Sequence, residues 1–428
     1  MLNDRLDRPE IKNYKFVQKM CGVTVVVCRD RTVAESVARM FQDALNARGP
    51  DQTGCLIKEC CGLFVVFVAS VLWIRGENLA KQPMETNGGV LAWNGELFNA
   101  EALSEGSDTL LLASWMHKNA EEALLRCDGP FAVTFLDEIR RKLFFARNRF
   151  GQRSLLIALP CAALPGECIT HEPDHAIGEG PFRLENFDDC VVISSTVPPS
   201  LQAKFAWKEV PVSGVFELSF CGNDELHLRL IRRYNPLPAA RLMDLDETGA
   251  RQGVLRLLQQ SVYKRTVTLG QSCRHVRLLF SGGVDCLLLA VYLHRSLPVS
   301  TELVLRNVAF GPDFNQAFDR IQAKHAVSEL QRLFPERRWI LDEVDVSEET
   351  LSEVLEKVKH LTFPQSSVMD VTIGSVLWFA FGGTDSAKVV FSGIGADELF
   401  AGYARHKSRF NRAEKGFNKS SFFFRPSL

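Results

Sequence analysis

At 428 residues, 46% of them hydrophobic, the chain is longer than one hydrophobic core usually organises, so two domains of about 200 residues are expected. Lys plus Arg (50) and Asp plus Glu (51) nearly cancel, which excludes the broad positive surface of non-specific nucleic-acid binding and sends any anionic ligand to a local site. Met1 to Met20 lacks the apolar core of a secretory signal and no apolar run reaches the roughly 20 residues of a membrane span, so no membrane partner is expected, and the 12 cysteines read as reduced thiols of a cytoplasmic protein.

Short strand-like runs fill the first half: Val23 to Cys28, Leu63 to Val68, Gly89 to Trp93, Phe131 to Leu136, Lys142 to Ala146 and Val191 to Ser194. Two helices interrupt them. Thr32 to Ala47 places Val33, Val37, Met40, Phe41 and Leu45 at helical spacing, and Asp108 to His117 starts behind the capping residue Ser107. This ordering predicts an α+β sheet sandwich. Cys161, Cys168, His171 and His175 come nearest to a zinc cluster, but the gap between the two cysteines exceeds short finger spacing, and a buried structural thiol is the default for each cysteine. Pro165 to Gly180 reads as a surface loop.

Asn235 to Ala240, bearing Pro and Ala, is the expected linker. Beyond it, helices alternate with single apolar strands, the pattern of an α/β parallel sheet. Asp244 to Lys264 reads as a helix, Val276 to Phe280 as a strand, and Cys286 to Leu297 as the next helix. Glu302 to Phe310 repeats the strand, Arg320 to Phe334 the helix, and Arg338 to Val344 the strand. Ser347 to Leu361, Asp370 to Phe381 and Lys388 to Phe391 continue the series.

The apolar strand Val276 to Phe280 runs directly into Ser281-Gly282-Gly283-Val284-Asp285, and a helix follows. A strand, turn and helix of this kind presents backbone amides to an anion. Gly282 and Gly283 let the backbone approach phosphate where a Cβ would block it, Ser281 adds a hydroxyl donor, and Asp285 can hold magnesium. Gly-Gly with Ser and Asp is also ordinary turn chemistry. A second apolar strand, Val389-Val390-Phe391, ends in Ser392-Gly393-Ile394-Gly395-Ala396-Asp397-Glu398, again glycine-rich and acidic. Ligands of open parallel sheets sit beyond the carboxyl ends of the strands, so both loops are expected to share one crevice.

A further set of segments occupies the first half in order: Met20-Cys21-Gly22, Arg48-Gly49-Pro50-Asp51, Asn94-Gly95-Glu96-Leu97-Phe98-Asn99, Gly106-Ser107-Asp108, Asp128-Gly129-Pro130-Phe131 and Arg147 to Arg153. Taken alone, Asn94-Gly95 reads as a hairpin turn. Together with the two glycine loops, the chain resembles the glutamine-dependent asparagine synthetases from Met20 to about Phe410. The Asp319-Arg320 pair, Asp370 to Gly374 and Ala401 to Phe410 look closest to the divergent asparagine synthetase domain-containing branch.

The resemblance implies an αββα Ntn-hydrolase-like glutaminase domain (21–235) behind a 1–20 extension, then an α/β ATP-pyrophosphatase domain (241–410), C-terminally truncated, with 411–428 as an unpacked tail. In the glutaminase half it makes Cys21 the nucleophile, Asn94 and the Gly95 amide the oxyanion donors, and Glu96 with Asp108 the binders of the substrate ammonium. In the synthetase half it assigns ATP to Ser281, Gly282, Gly283, Asp285, Gly393 and Gly395, and Mg2+ to Asp285 and Asp397. Glutamine, aspartate and ATP are the implied small-molecule partners, no nucleic acid is expected, and a homodimer is the assembly to test.

The sequence departs from the family pattern at several points. Cys286 stands at the loop's final serine, Ile394 replaces a glutamate implicated in aspartyl-adenylate formation, and Val71 falls where an arginine should clamp the glutamine carboxylate, with Arg75 four residues later. The base expected in this family is the α-amine of the cysteine, whose pKa lies at roughly 7.7 to 8.0, yet Cys21 follows twenty residues. Translation from Met20, or cleavage of the leader, would free it. Two readings therefore stand: ATP-dependent conversion of aspartate to asparagine, or a non-catalytic regulatory relative that binds nucleotide. A third is another ATP pyrophosphatase acting on a different carboxylate or on a nucleic-acid base, with the neutral charge arguing against a tRNA substrate.

Overall fold

The computed structural model describes residues 20–99, 101–102, 106–160, 177–186, 188–235, 246–269, 275–382 and 387–414; the Cys161, Cys168, His171 and His175 group, the expected linker beyond Asn235 and the Phe422 to Phe424 tail lie outside them. The chain forms two compact units. The first draws on Met1–Tyr234, Val267–Arg274 and Val346–Lys388, the second on Asn235–Thr266, His275–Asp345 and Val389–Leu428.

Every residue of the strand Gly22–Cys28 is buried, which a strand achieves only with both faces covered. It pairs antiparallel with Leu63–Val71 on one side and Cys190–Ser194 on the other. The sheet around it has six strands, ordered Trp207–Glu209, Leu156–Ala158, Cys190–Ser194, Gly22–Cys28, Leu63–Val71 and Gln52–Cys60. Val23, Val25 and Val27 turn to one face and pack with Phe67, Phe145 and Phe216, while Val26 and Cys28 turn to the other, against Ala34, Ala38, Phe41 and Leu45. Period-two alternation along one β-branched run thus serves two cores.

The inner face belongs to a second, seven-stranded sheet, ordered Met84–Thr86, Gly89–Gly95, Phe131–Asp137, Lys142–Arg147, Gly214–Gly222, Glu225–Arg233 and Gly180–Arg183. Its outer face, with Leu91, Trp93, Phe135 and Phe144, is covered by Leu112, Met116 and Leu124 of the helices Asp108–Lys118 and Ala120–Arg126. The result is the expected αββα layering. The helix read over Thr32 to Ala47 is instead two helices, Arg31–Met40 and Gln42–Arg48. Phe41 marks the break: its amide bonds the Ala38 carbonyl at 3.2 Å, a tight three-residue turn, and its buried ring meets Trp207 edge-on at 6.2 Å. The hairpin Gly214–Gly222 and Glu225–Arg233 escaped the sequence reading because Leu226 and Leu228 alternate with outward His227 and Arg229 rather than forming an apolar run.

In the second unit, His275–Leu279 pairs in parallel with both Glu302–Phe310 and Val389–Phe391, and Trp339–Val346 lies outside Glu302–Phe310, completing four strands. Helices Val284–Ser296 and Phe318–Leu333 follow the first two strands, as the α/β pattern predicts. The helices Glu348–Thr362 and Val368–Phe381 group with the first unit, where Gln202 Nε2 donates to the His360 carbonyl at 3.0 Å and Phe363 packs beside Val197. No helix among the described residues is long and apolar enough to cross a membrane.

Candidate functional site

Cys21 stands at the mouth of the Gly22–Cys28 strand, held against one backbone unit. The Leu72 N–H points at its Sγ from 3.3 Å, and the thiol faces the Leu72 carbonyl at 3.7 Å. Burial pushes the thiol up to about 11, with the Leu72 contact and the Arg153 and Arg48 charges pulling it back and Asp108 adding to the rise. Arg48 donates its Nε to the Cys21 carbonyl at 3.2 Å; burial lowers this guanidinium to about 10, so it stays cationic at neutral pH.

Two further arginines border the site. Arg153 lies 4.0 Å from the Glu96 carboxylate and 3.5 Å from the Met20 sulfur. Arg75 donates Nη1 to the Leu97 carbonyl at 2.9 Å and lies 3.6 Å from Asp108, whose carboxylate also accepts the Leu97 N–H at 3.3 Å. Burial raises the Asp108 carboxyl above its ordinary value, opposed by Arg75 and by the Leu97 and Thr109 amides. Arg48 Nη2, Arg75 Nη2, Arg153 Nε and Asn94 Nδ2 are all buried without a hydrogen-bond partner among the described residues. An unmet buried donor costs about 1–3 kcal/mol, and three of these four lie in the motif segments, with Arg75 beside Asp108 of another.

Asn94 and Gly95 are not a hairpin turn. They end the strand Gly89–Gly95, paired with Ala132 and Phe131, so the chain leaves the sheet edge there. A Cβ at Gly95 would lie 2.6 Å from the Pro130 carbonyl and 2.7 Å from the Trp93 ring, which reserves the position for glycine.

At the second site, Phe280 and the 281–283 turn join His275–Leu279 to the helix Val284–Ser296, whose start at Gly283 no side chain caps. Gly282 has φ +85°, and a Cβ there would come within 2.4 Å of the Gln322 backbone. The adjacent strand Val389–Phe391 feeds the 392–398 loop, where Gly395 has φ +95°. A Cβ on Gly393 would stand 3.1 Å from the Asp285 Cβ, so the two loops touch. Asp285 therefore meets Gly393, each just beyond the carboxyl end of one of two neighbouring parallel strands. Cys286 turns its thiol back to the Gly283 carbonyl at 3.1 Å. Ile394 is 70% exposed, Asp397 packs on Gly402, and Glu398 accepts from the Tyr403 hydroxyl.

Residues 20–164 match the glutamine amidotransferase domain family, and residues 253–423 match the asparagine synthase family. An asparagine synthetase domain-containing protein of Drosophila melanogaster is 29% identical over 448 aligned residues, covering 92% of this chain and 79% of the relative. The chain carries a glutamine amidotransferase domain and then an asparagine synthase domain, and over most of its length it is similar to asparagine synthetase domain-containing proteins. The Mus musculus asparagine synthetase domain-containing protein 1 is 26% identical, with coverage of 91% and 81%. The glutamine-hydrolysing asparagine synthetase of Gallus gallus is also 26% identical, with coverage of 90% and 67%.

Sequence comparison with asparagine synthetases placed Val71 at the carboxylate clamp, but Val71 is a buried strand residue paired with Gln52. The buried guanidinium belongs to Arg75. The loop that carries it is fixed by Asp51, which accepts the Trp73 N–H at 2.7 Å, and by the Trp73 indole, which donates to the Arg75 carbonyl at 2.9 Å. Lys388 completes the brace, donating to Asp51 at 2.8 Å and to the Trp73 carbonyl at 3.0 Å. Arg48 and Arg153 lay inside recognised motifs of this family and could have been read as site cations. No local signal could have joined Lys388 to Asp51, which is 337 positions away.

Proposed function

We propose that this asparagine synthetase-like protein amidates aspartate to asparagine at the expense of ATP, with glutamine as nitrogen donor and an acyl-adenylate as intermediate. The contact of the two glycine loops, Gly393 against Asp285, carries the reading, because it brings both anion-binding turns to one place on the sheet. In the first half-reaction the Cys21 thiol adds to the glutamine amide carbon and passes its proton to the Cys21 α-amine. Asn94 Nδ2 and the Gly95 amide donate to the oxyanion, ammonia leaves, and water hydrolyses the thioester to glutamate. Arg75 Nη2 is free to take the substrate carboxylate, while Glu96 and Asp108 face its ammonium.

In the second half-reaction the aspartate side-chain carboxylate attacks the α-phosphorus of ATP, pyrophosphate leaves, and ammonia displaces AMP from the adenylate. Ser281 and the amides at Gly282 and Gly283 hold the departing pyrophosphate, with Gly393 and Gly395 giving the second loop close approach. Asp285 and Asp397 would hold Mg2+, which when bound neutralises phosphate charge. A cytoplasmic location and homodimeric assembly belong to the same reading.

The deciding measurement is AMP release at saturating MgATP with aspartate and either glutamine or ammonia. Glutamine-stimulated release is expected, with Cys21→Ala retaining the ammonia-dependent rate. The absence of AMP release with either nitrogen source would sink the proposal. Mass spectrometry of the mature protein is expected to show Cys21 as the first residue, since an acylated nitrogen is no base. The exposed Ile394, in place of an acid, supports a second reading in which nucleotide is bound without turnover. Calorimetric MgATP binding alongside zero AMP release selects it.

A further inference from the structure

We propose that Arg320, acting through Asn307, is a positioning residue that sets the entry of the 281–285 loop and thereby its hold on the nucleotide pyrophosphate, an inference that rests on the synthetase reading above. Arg320 belongs to the helix Phe318–Leu333, and its side chain is 1% exposed. All three guanidinium nitrogens are engaged: Nε donates to Asn307 Oδ1 at 2.6 Å, Nη1 to Asp345 at 2.9 Å, and Nη2 to the Val344 carbonyl at 3.1 Å. Asn307 turns its other end to the loop, donating Nδ2 to the Phe280 carbonyl at 2.9 Å and to the Asp319 carbonyl at 3.3 Å. The Phe280 N–H in turn donates to the Arg306 carbonyl at 2.8 Å.

Phe280 immediately precedes Ser281, so the backbone is gripped on both sides at the step where strand becomes loop. The same helix also floors that loop, since its backbone at Gln322 leaves no room for a Cβ on Gly282. A rigid planar fork anchored on Asp345 thus orients a carboxamide, and the carboxamide orients the Phe280 carbonyl. A purely structural ion pair would end at Asp345. Asn307 separates the two roles, because its oxygen serves Arg320 while its nitrogen serves the loop.

Asn307→Asp keeps an acceptor for Arg320 and adds charge to that link, but it cannot donate to the Phe280 carbonyl and repels it. Wild type and variant are titrated calorimetrically with MgATP, with thermal melts and with the KM for ATP measured against kcat in AMP release. The expected result is a melting temperature at or above wild type and a nucleotide affinity about tenfold weaker, seen in KM more than in kcat. An unchanged affinity in a folded variant, beside a wild type that binds, overturns this inference alone. A wild type that binds no MgATP removes the synthetase reading and this one with it. Should the aspartate variant not fold, Asn307→Ser, which leaves room for water, carries the same two outcomes.

Discussion

Cys21 faces opposed demands. Burial stabilises the neutral thiol, whereas nucleophilic attack needs the proton gone, so a base must act at the moment of attack. Because the pKa is raised to about 11, the thiolate fraction stays small across neutral pH and grows with every step upward. Iodoacetamide labelling of Cys21, followed by peptide mass spectrometry, is expected to accelerate about tenfold per pH unit to beyond pH 10, whereas a free reference thiol levels off near its ordinary value. Arg75→Ala is expected to raise the glutamine KM by about 10- to 100-fold, the loss of a charge-assisted contact, and to leave ammonia-dependent AMP release intact. An unchanged KM would return the clamp to some other residue. Asn94→Ala is expected to lower glutamine-dependent kcat by about 10² to 10³, as loss of an oxyanion donor does, with little effect on the ammonia-dependent rate.

At the scale of elements, each site hangs on the end of a strand whose own composition explains it. Gly22–Cys28 delivers Cys21, Gly89–Gly95 delivers Asn94, and His275–Leu279 delivers the proposed phosphate loop. The helix Arg31–Met40, which covers the outer face of the first strand, starts where Asp30 accepts the Val33 N–H at 2.9 Å. Asp30→Ala is expected to destabilise the first unit by about 1 kcal/mol, read as a shifted denaturation midpoint with unchanged slope. The strands that are apolar runs, and most helices, were legible because such patterns are local, whereas Gln52–Cys60 and the hairpin Gly214–Gly222 and Glu225–Arg233 were not. The break at Phe41 was not, since the force that makes it comes from Trp207, far along the chain.

At the scale of the molecule, two dissimilar units share one chain, each carrying one candidate site. The inner core of the first unit depends on rings such as Phe67, fully buried opposite Val25. Phe67→Ala is expected to cost about 3–5 kcal/mol, checked by equilibrium denaturation followed by tryptophan fluorescence. The sheet sandwich and the parallel sheet followed from strand runs already visible in order along the chain, while the αββα layering was what the family resemblance implied.

The family resemblance, the order of the motifs and the convergence of the two glycine loops were legible in the sequence itself, because each depends on short segments and on where parallel strands must end. Tertiary structure alone decided that Arg75 is buried beside Asp108, that Lys388 braces Asp51, and that Asn307 holds Phe280. Those assignments turn on which buried donors lack or find acceptors across long separations, and no local pattern records that.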